Sequence, residues 1–287
     1  MSFATRFIAG LGLLAAAGSV LAQPLTLDTY NPRDAAVFPV SSTLITGEKD
    51  AILVDAQFSN REAEELVKRI QASGKRLTTI FISHGDPDYY FGLDVLTRAY
   101  PEVKVLATPA TVAYIEKTRA PKLAYWGPIL KDSAPARTLV PEVLQGDALE
   151  LEGQRIQVVG HDPQHTSLWI PSIKAVVGGV LTSANIHLWV ADAQSVEARQ
   201  SWLKSLDELE ALQPVTLVPG HYLSEPAMNL ADLRYTRDYL LTLERELDKA
   251  KDSHALIAAM KAHYPQLQDD SSLELSAKVL KGEMQWP

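Results

Sequence analysis

The sequence predicts an α/β fold arranged as a four-layer αββα sandwich, and three observations point to it. Short apolar runs of strand length alternate with amphipathic helical segments along the chain. The strand-rich stretches fall into two groups, each interleaved with helices. No fixed-period repeat or low-complexity linker divides the 287 residues, so one domain is the simplest organisation. A composition that is 46% hydrophobic and 22% charged supplies a substantial core.

In chain order, Ala36–Thr46 and Ala51–Val54 are the first strand-like runs. The spacing of Ala63, Leu66, Val67 and Ile70 predicts a helix over Arg61–Ala72, with Asn60 as its N-cap and Gly74 as its stop. Leu77–Ile82 is a β-rich run ending abruptly in Ser83-His84-Gly85-Asp86-Pro87-Asp88. A short helix over Gly92–Ala99, a strand over Val103–Ala107 and a broken helix over Pro109–Lys131 follow. The second half predicts strands at Ala148–Leu151, Arg155–Val159, Thr166–Ile170 and Ala175–Val177. A helix over Ser195–Leu212 and a strand over Val215–Val218 come next. The remainder is a helical extension: Leu230–Lys251, Ser253–His263 and Ser272–Lys281.

Residues 1–22 stand apart from the fold. Arg6, the apolar run Phe7–Ala16 and the closing Val20-Leu21-Ala22 form a Sec-type signal peptide, with cleavage expected before Gln23. The expected mature domain therefore spans residues 23–287 and is periplasmic or secreted, with no stable membrane insertion after cleavage. The absence of cysteine excludes disulfides, thiolate ligands and cysteine nucleophiles, leaving nitrogen and oxygen as metal donors. A net charge of −8 without a basic cluster argues against a nucleic-acid partner. A small molecule is the expected partner, and nothing in the sequence specifies the oligomeric state.

Five of the seven histidines, His84, His161, His165, His187 and His221, lie near strand ends or in the loops beyond them, where α/β proteins place reactive groups. If the backbone leaves the strand extended, His84, Asp86 and Asp88 project to one side and could converge. A turn in which the aspartates cap backbone amides is the plainer alternative. The second cluster is Gly160-His161-Asp162-Pro163-Gln164-His165-Thr166-Ser167, and the third is Val218-Pro219-Gly220-His221. Each is unremarkable alone; three on separated loops suggest one site.

Over nearly all of its mature length the chain resembles the metallo-β-lactamase-fold hydrolases. Ser83-His84-Gly85-Asp86-Pro87-Asp88-Tyr89-Tyr90-Phe91-Gly92 is similar to that family's Thr-His-x-His-x-Asp-His-x-x-Gly. Leu53-Val54-Asp55, Gly160–His165 and Pro219-Gly220-His221 match its other motifs in order and context. The resemblance implies a first metal site at His84, Asp86 and His161. It implies a second at Asp88, Tyr89, Gly179 and His221, where tyrosine is a poor ligand and glycine supplies none. One divalent metal is therefore expected: zinc first, with iron or manganese also suited to two imidazoles and a carboxylate.

The expected chemistry is hydrolysis of a small ester, lactone, amide or related substrate by metal-activated water. Asp88 would orient or deprotonate the water, and His221 would assist. His165 and Asp55 would support the ligands from behind, while Tyr89 and His187 would face the substrate or back the site. Two alternatives share the fold: mononuclear iron-dependent oxidation, and a non-catalytic small-molecule-binding protein with a decayed metal site.

Overall fold

The computed structural model describes residues 23–268 and 270–286, so the predicted signal peptide lies outside the described residues. One sheet has six strands in the order of the chain: β1 (Thr26–Tyr30), β2 (Ser42–Thr46), β3 (Asp50–Val54), β4 (Arg76–Ile82), β5 (Lys104–Ala107) and β6 (Glu142–Val143). Its first three strands are antiparallel, and β3 to β6 are parallel. The second sheet contains β7 (Ala148–Leu151), β8 (Gln154–Val159), β9 (Ser167–Ile170), β10 (Ala175–Val177) and β12 (Thr216–Leu217), with β12 parallel to β10 at one edge. A parallel pair, β11 (Ser183–Ala184) and β13 (His221–Tyr222), lies between loops at one end.

Side-chain alternation along the strands builds the layers. Ala51 and Leu53 of β3 face one way, into a core shared with α1 (Asn60–Ser73), α3 (Leu93–Ala99) and α4 (Pro109–Leu130). Ile52 and Val54 of the same strand face the other way and meet Leu149, Ile156, Leu168 and Val177 of the second sheet. On that sheet's outer face, Trp169, Val176 and Leu217 pack under α5 (Val196–Ala211), α6 (Leu230–Lys249), α7 (Ser253–His263) and α8 (Ser271–Leu280). Three separate apolar cores thus lie between four layers, as the sequence predicts.

Several boundaries differ from the sequence reading for local reasons. The run Ala36–Thr46 becomes a strand only from Ser42, because Pro39 offers no N–H and Val40 and Ser41 are engaged elsewhere. Val40 forms a single antiparallel bridge with His221, Ser41 N–H donates to Gly220 O at 2.7 Å, and the Ser41 hydroxyl donates to Pro219 O at 2.6 Å. Ser59, not Asn60, is the N-cap of α1, because the Asn60 amide donates to Ala134 O at 2.7 Å. Gly74 ends α1 with a left-handed φ of +64°, as expected. Helix α4 runs through Pro121 and Pro128 without breaking, anchored by the Thr108 side chain accepting Thr111 N–H. After β4 the backbone does not stay extended: a short helix, α2 (Pro87–Tyr90), starts one residue beyond Asp86 and turns Asp88 away from its neighbours.

One buried knot joins the sheets where β3 and β4 end. Asp55, at φ +65°, accepts Ser83 N–H at 2.8 Å and the Ser83 hydroxyl at 2.7 Å. The same Ser83 oxygen accepts Gly179 N–H at 2.7 Å from the loop after β10, and Thr166 donates to Ser83 O at 3.1 Å. Next to it, Ala56 N–H donates to Tyr89 O at 2.7 Å and Gly92 N–H to Gln57 O at 3.0 Å, fixing α2. A Cβ on Gly92 would lie 1.9 Å from Ala56 O, so the close approach requires glycine.

Burial pushes the Asp55 carboxyl up from 3.8 to about 7, against the opposing effect of its Ser83 bonds. A carboxyl raised on folding binds its proton more tightly in the folded state, so stability falls as pH rises from about 3.8 to about 7. The Asp55 share of that fall is on the order of 4 kcal/mol. Urea unfolding between pH 4 and pH 7.5 should show a shallower dependence in Asp55→Asn than in the parent chain; equal slopes would contradict this assignment.

Candidate functional site

The loops after β4, β8, β10 and β12 emerge at one end of the sandwich, and they carry the sequence-selected residues. A cleft of about 290 Å³ opens there, lined by His84, Asp86 and His165 at its polar end and by Tyr114, Trp189 and Trp202 along its walls. His84 and His165 have ring centroids 5.1 Å apart. The middle-motif histidine beside His84 is therefore His165, and His161 lies apart from them.

The loop chemistry explains the exchange. Gly160, at φ +138°, reverses the chain so closely that a Cβ there would meet His165 O at 2.6 Å. A turn follows in which His165 N–H donates to Asp162 O at 3.0 Å, placing His165 at the cleft. The His161 ring, 45% exposed, instead pairs through Nδ1 with Glu208 of α5 at 3.1 Å.

The two cleft imidazoles have different hydrogen bonding. Asp86 N–H donates to His84 Nδ1 at 3.2 Å, which puts the proton of the neutral ring on Nε2. Burial pushes His84 down to about 3, with His165, Lys122 and His221 adding to the effect and Asp86 opposing it, so the ring is neutral. His165 Nδ1 lies 2.8 Å from Asp162 Oδ2, a bond that leaves Nε2 with its lone pair when Nδ1 donates. Burial tends to raise Asp162, but Gln164 N–H and His165 hold it below its usual value, as a carboxylate.

Asp86 occupies the N-cap position of α2 without capping it. Its Oδ1 pairs with the Lys122 ammonium from α4, and its Oδ2 lies 3.5 Å from His84 Nδ1. Burial works to raise Asp86, but the charge and hydrogen bond of the Lys122 ammonium hold it below the usual carboxylate range. Burial likewise works to lower Lys122, and Asp86 more than offsets this, keeping the amine charged. Lys122 also reaches Tyr114 Oη at 3.2 Å, with its ammonium 4.5 Å from that ring's centroid.

The other family positions satisfy one another beyond the cleft lining. His221 Nε2 lies 2.9 Å from Asp88 Oδ2, and its Nδ1 lies 3.4 Å from Tyr89 Oη. Burial, with Asp88, Asp55 and Asp86 nearby, pushes the Tyr89 phenol well up and keeps it protonated. Tyr90 is fully buried. His187 is 1% exposed and bonds Tyr239 Oη at 2.8 Å among the C-terminal helices. Gly179, at φ +85°, has Thr166 O only 2.3 Å from where a Cβ would lie.

The residues present do not fit the family's metal centre. His84 accepts an amide N–H at Nδ1, Asp86 is neutralised by Lys122, His161 is elsewhere, and the Asp88–His221 pair is closed on itself. Among the described residues, no group of three or more His, Asp or Glu side chains is arranged to hold a metal ion. The sequence reading gave Lys122 and Trp202 no role of their own, and Asp162 only a place in the second histidine cluster. A lysine inside a helix ordinarily marks a solvent face, and the spacing from Lys122 to the His84 motif gives no hint of contact.

The space of the family's bridging carboxylate is filled by backbone, so Gly179→Asp should not restore a ligand. It should cost about 3 kcal/mol through the left-handed φ and the clash with Thr166 O, read as a lowered urea midpoint.

Comparison with known proteins places this geometry. The family model described as the metallo-beta-lactamase superfamily matches residues 35–221. A solved structure of the DIM-1 metallo-beta-lactamase exposed to ceftazidime superposes with a TM-score of 0.51 at 19% identity, covering 76% of this chain and 93% of that one. A metallo-beta-lactamase from Pontibacter korlensis gives a TM-score of 0.54 at 20% identity, with coverage of 76% and 93%. No curated protein matches the chain by sequence. The motif order, the sandwich and a family match over well more than half of its length agree: the chain belongs to the metallo-beta-lactamase superfamily.

Proposed function

We propose that the chain is an exported hydrolase of small, partly apolar esters, lactones or amides. Family membership supports hydrolysis as the general reaction class. The observation that carries the reading for this chain is the Asp162–His165 dyad beside a neutral, proton-donating His84 in one cleft. Trp189, Trp202 and Tyr114 suit the apolar part of a substrate, and the imidazole pair suits a carbonyl.

In this mechanism a water molecule gives its proton to His165 Nε2 as its oxygen adds to the substrate carbonyl carbon. Asp162 orients the ring and stabilises the imidazolium that forms. The carbonyl π bond becomes an oxyanion, which accepts the His84 Nε2–H bond. When the tetrahedral intermediate collapses, the C–O or C–N bond breaks and His165 returns the proton to the leaving group. His161, Asp88 and His221 have no direct part, because the first faces Glu208 and the others lie outside the cleft lining.

Assays with p-nitrophenyl esters and small lactones should find kcat/KM reduced by about 100-fold or more in His165→Ala and Asp162→Asn. His161→Ala should stay within about twofold of the parent. An equal loss in His161→Ala would sink the assignment, and tight binding without turnover would assign the cleft to a non-catalytic binding protein. Expression of the full chain in a Gram-negative host should yield periplasmic protein whose N-terminus is Gln23. Cytoplasmic retention with Met1 intact would refute the export proposal.

A further inference from the structure

The altered family motif meets a lysine from a helix distant in sequence. Asp86 stands where the motif has its second histidine, and Lys122 of α4 is placed against it. The contact is not a surface ion pair, since the two side chains are only 22% and 20% exposed. Lys122 is steadied by the Tyr114 hydroxyl and ring, two turns earlier on the same helix. Tyr114 in turn needs the glycine between His84 and Asp86. A Cβ on Gly85 would lie 2.4 Å from the Tyr114 ring, so any larger residue there would displace it. Gly85, Asp86, Tyr114 and Lys122 therefore form one fitted unit.

We infer that the Lys122 ammonium is the resident cation of this cleft, taking the place a divalent metal ion holds in the family, and that the site works without bound metal. A divalent ion shared by His84, Asp86 and His165 would have to lie beside a fixed positive charge and take Asp86 away from it. The inference concerns the same cleft as the proposed hydrolase but does not depend on turnover.

The test is zinc binding to the chelator-treated mature chain, measured by equilibrium dialysis with elemental analysis, for the parent and for Lys122→Met and Lys122→Arg. The parent and Lys122→Arg should hold less than about 0.1 zinc per chain at micromolar free metal. Lys122→Met keeps the stem and removes the charge, exposing two imidazoles and a carboxylate, and should bind zinc at least about tenfold more tightly. Replacing His84 by alanine in that background should abolish the gain. Near-stoichiometric zinc in the parent would overturn the inference, as would a folded Lys122→Met chain with no gain. If Lys122→Met does not fold, the parent titration decides by itself. Any ester hydrolysis by the parent should also persist within about twofold in chelator. Absence of turnover would count against the hydrolase alone, leaving the zinc measurement as the judge of Lys122.

Discussion

The bonds between Asp55 and Ser83 hold together everything functional in this chain. Two parallel strands end side by side, and their next residues must satisfy polar groups that water cannot reach. Asp55 does so with both carboxyl oxygens on Ser83, which then takes an amide from Gly179 of the opposite sheet. Ser83 also receives Thr166 from the loop that delivers His165. The residue after Ser83 is His84, so the knot that joins the sheets also fixes the base of the cleft. A left-handed backbone at Asp55 and a carboxyl pushed up by burial accompany this arrangement.

Around that knot, the departures from the family pattern form a consistent set. Where a bridging carboxylate would stand, Gly179 lets two loops close to backbone contact. Where a second-site histidine would stand, Tyr89 bonds His221, whose other nitrogen is engaged by Asp88. Where a first-site histidine would stand, Asp86 meets Lys122. Asp86, Asp88, Tyr89 and His221 are each paired within the chain. A site that had merely lost ligands would leave orphaned donors and acceptors, which cost about 1–3 kcal/mol each when buried.

The two cleft imidazoles show how hydrogen-bond partners divide roles between identical side chains. His84 faces a backbone amide and is left as a donor, whereas His165 faces a carboxylate and is left as an acceptor. A base and an oxyanion donor are complementary requirements of acyl transfer, and here neither needs a shared ion to orient it.

By itself the sequence determined the layers, most of the elements and the end of the molecule where chemistry gathers. Those properties follow from apolar periodicity and from glycine and proline at strand ends, which are local signals. Ala175–Val177 and Ser253–His263 were legible to the residue, and the His84 and His221 motifs to their loops. Which histidine stands beside His84 was decided only by the tertiary structure. The tight reversal at Gly160 makes His165, and not His161, the one that reaches it. The Lys122–Asp86 pair was equally hidden, because an ion pair depends on where a helix docks and not on separation along the chain. Local pattern fixed the framework, whereas the charge at its centre came from a long-range contact that no local pattern encodes.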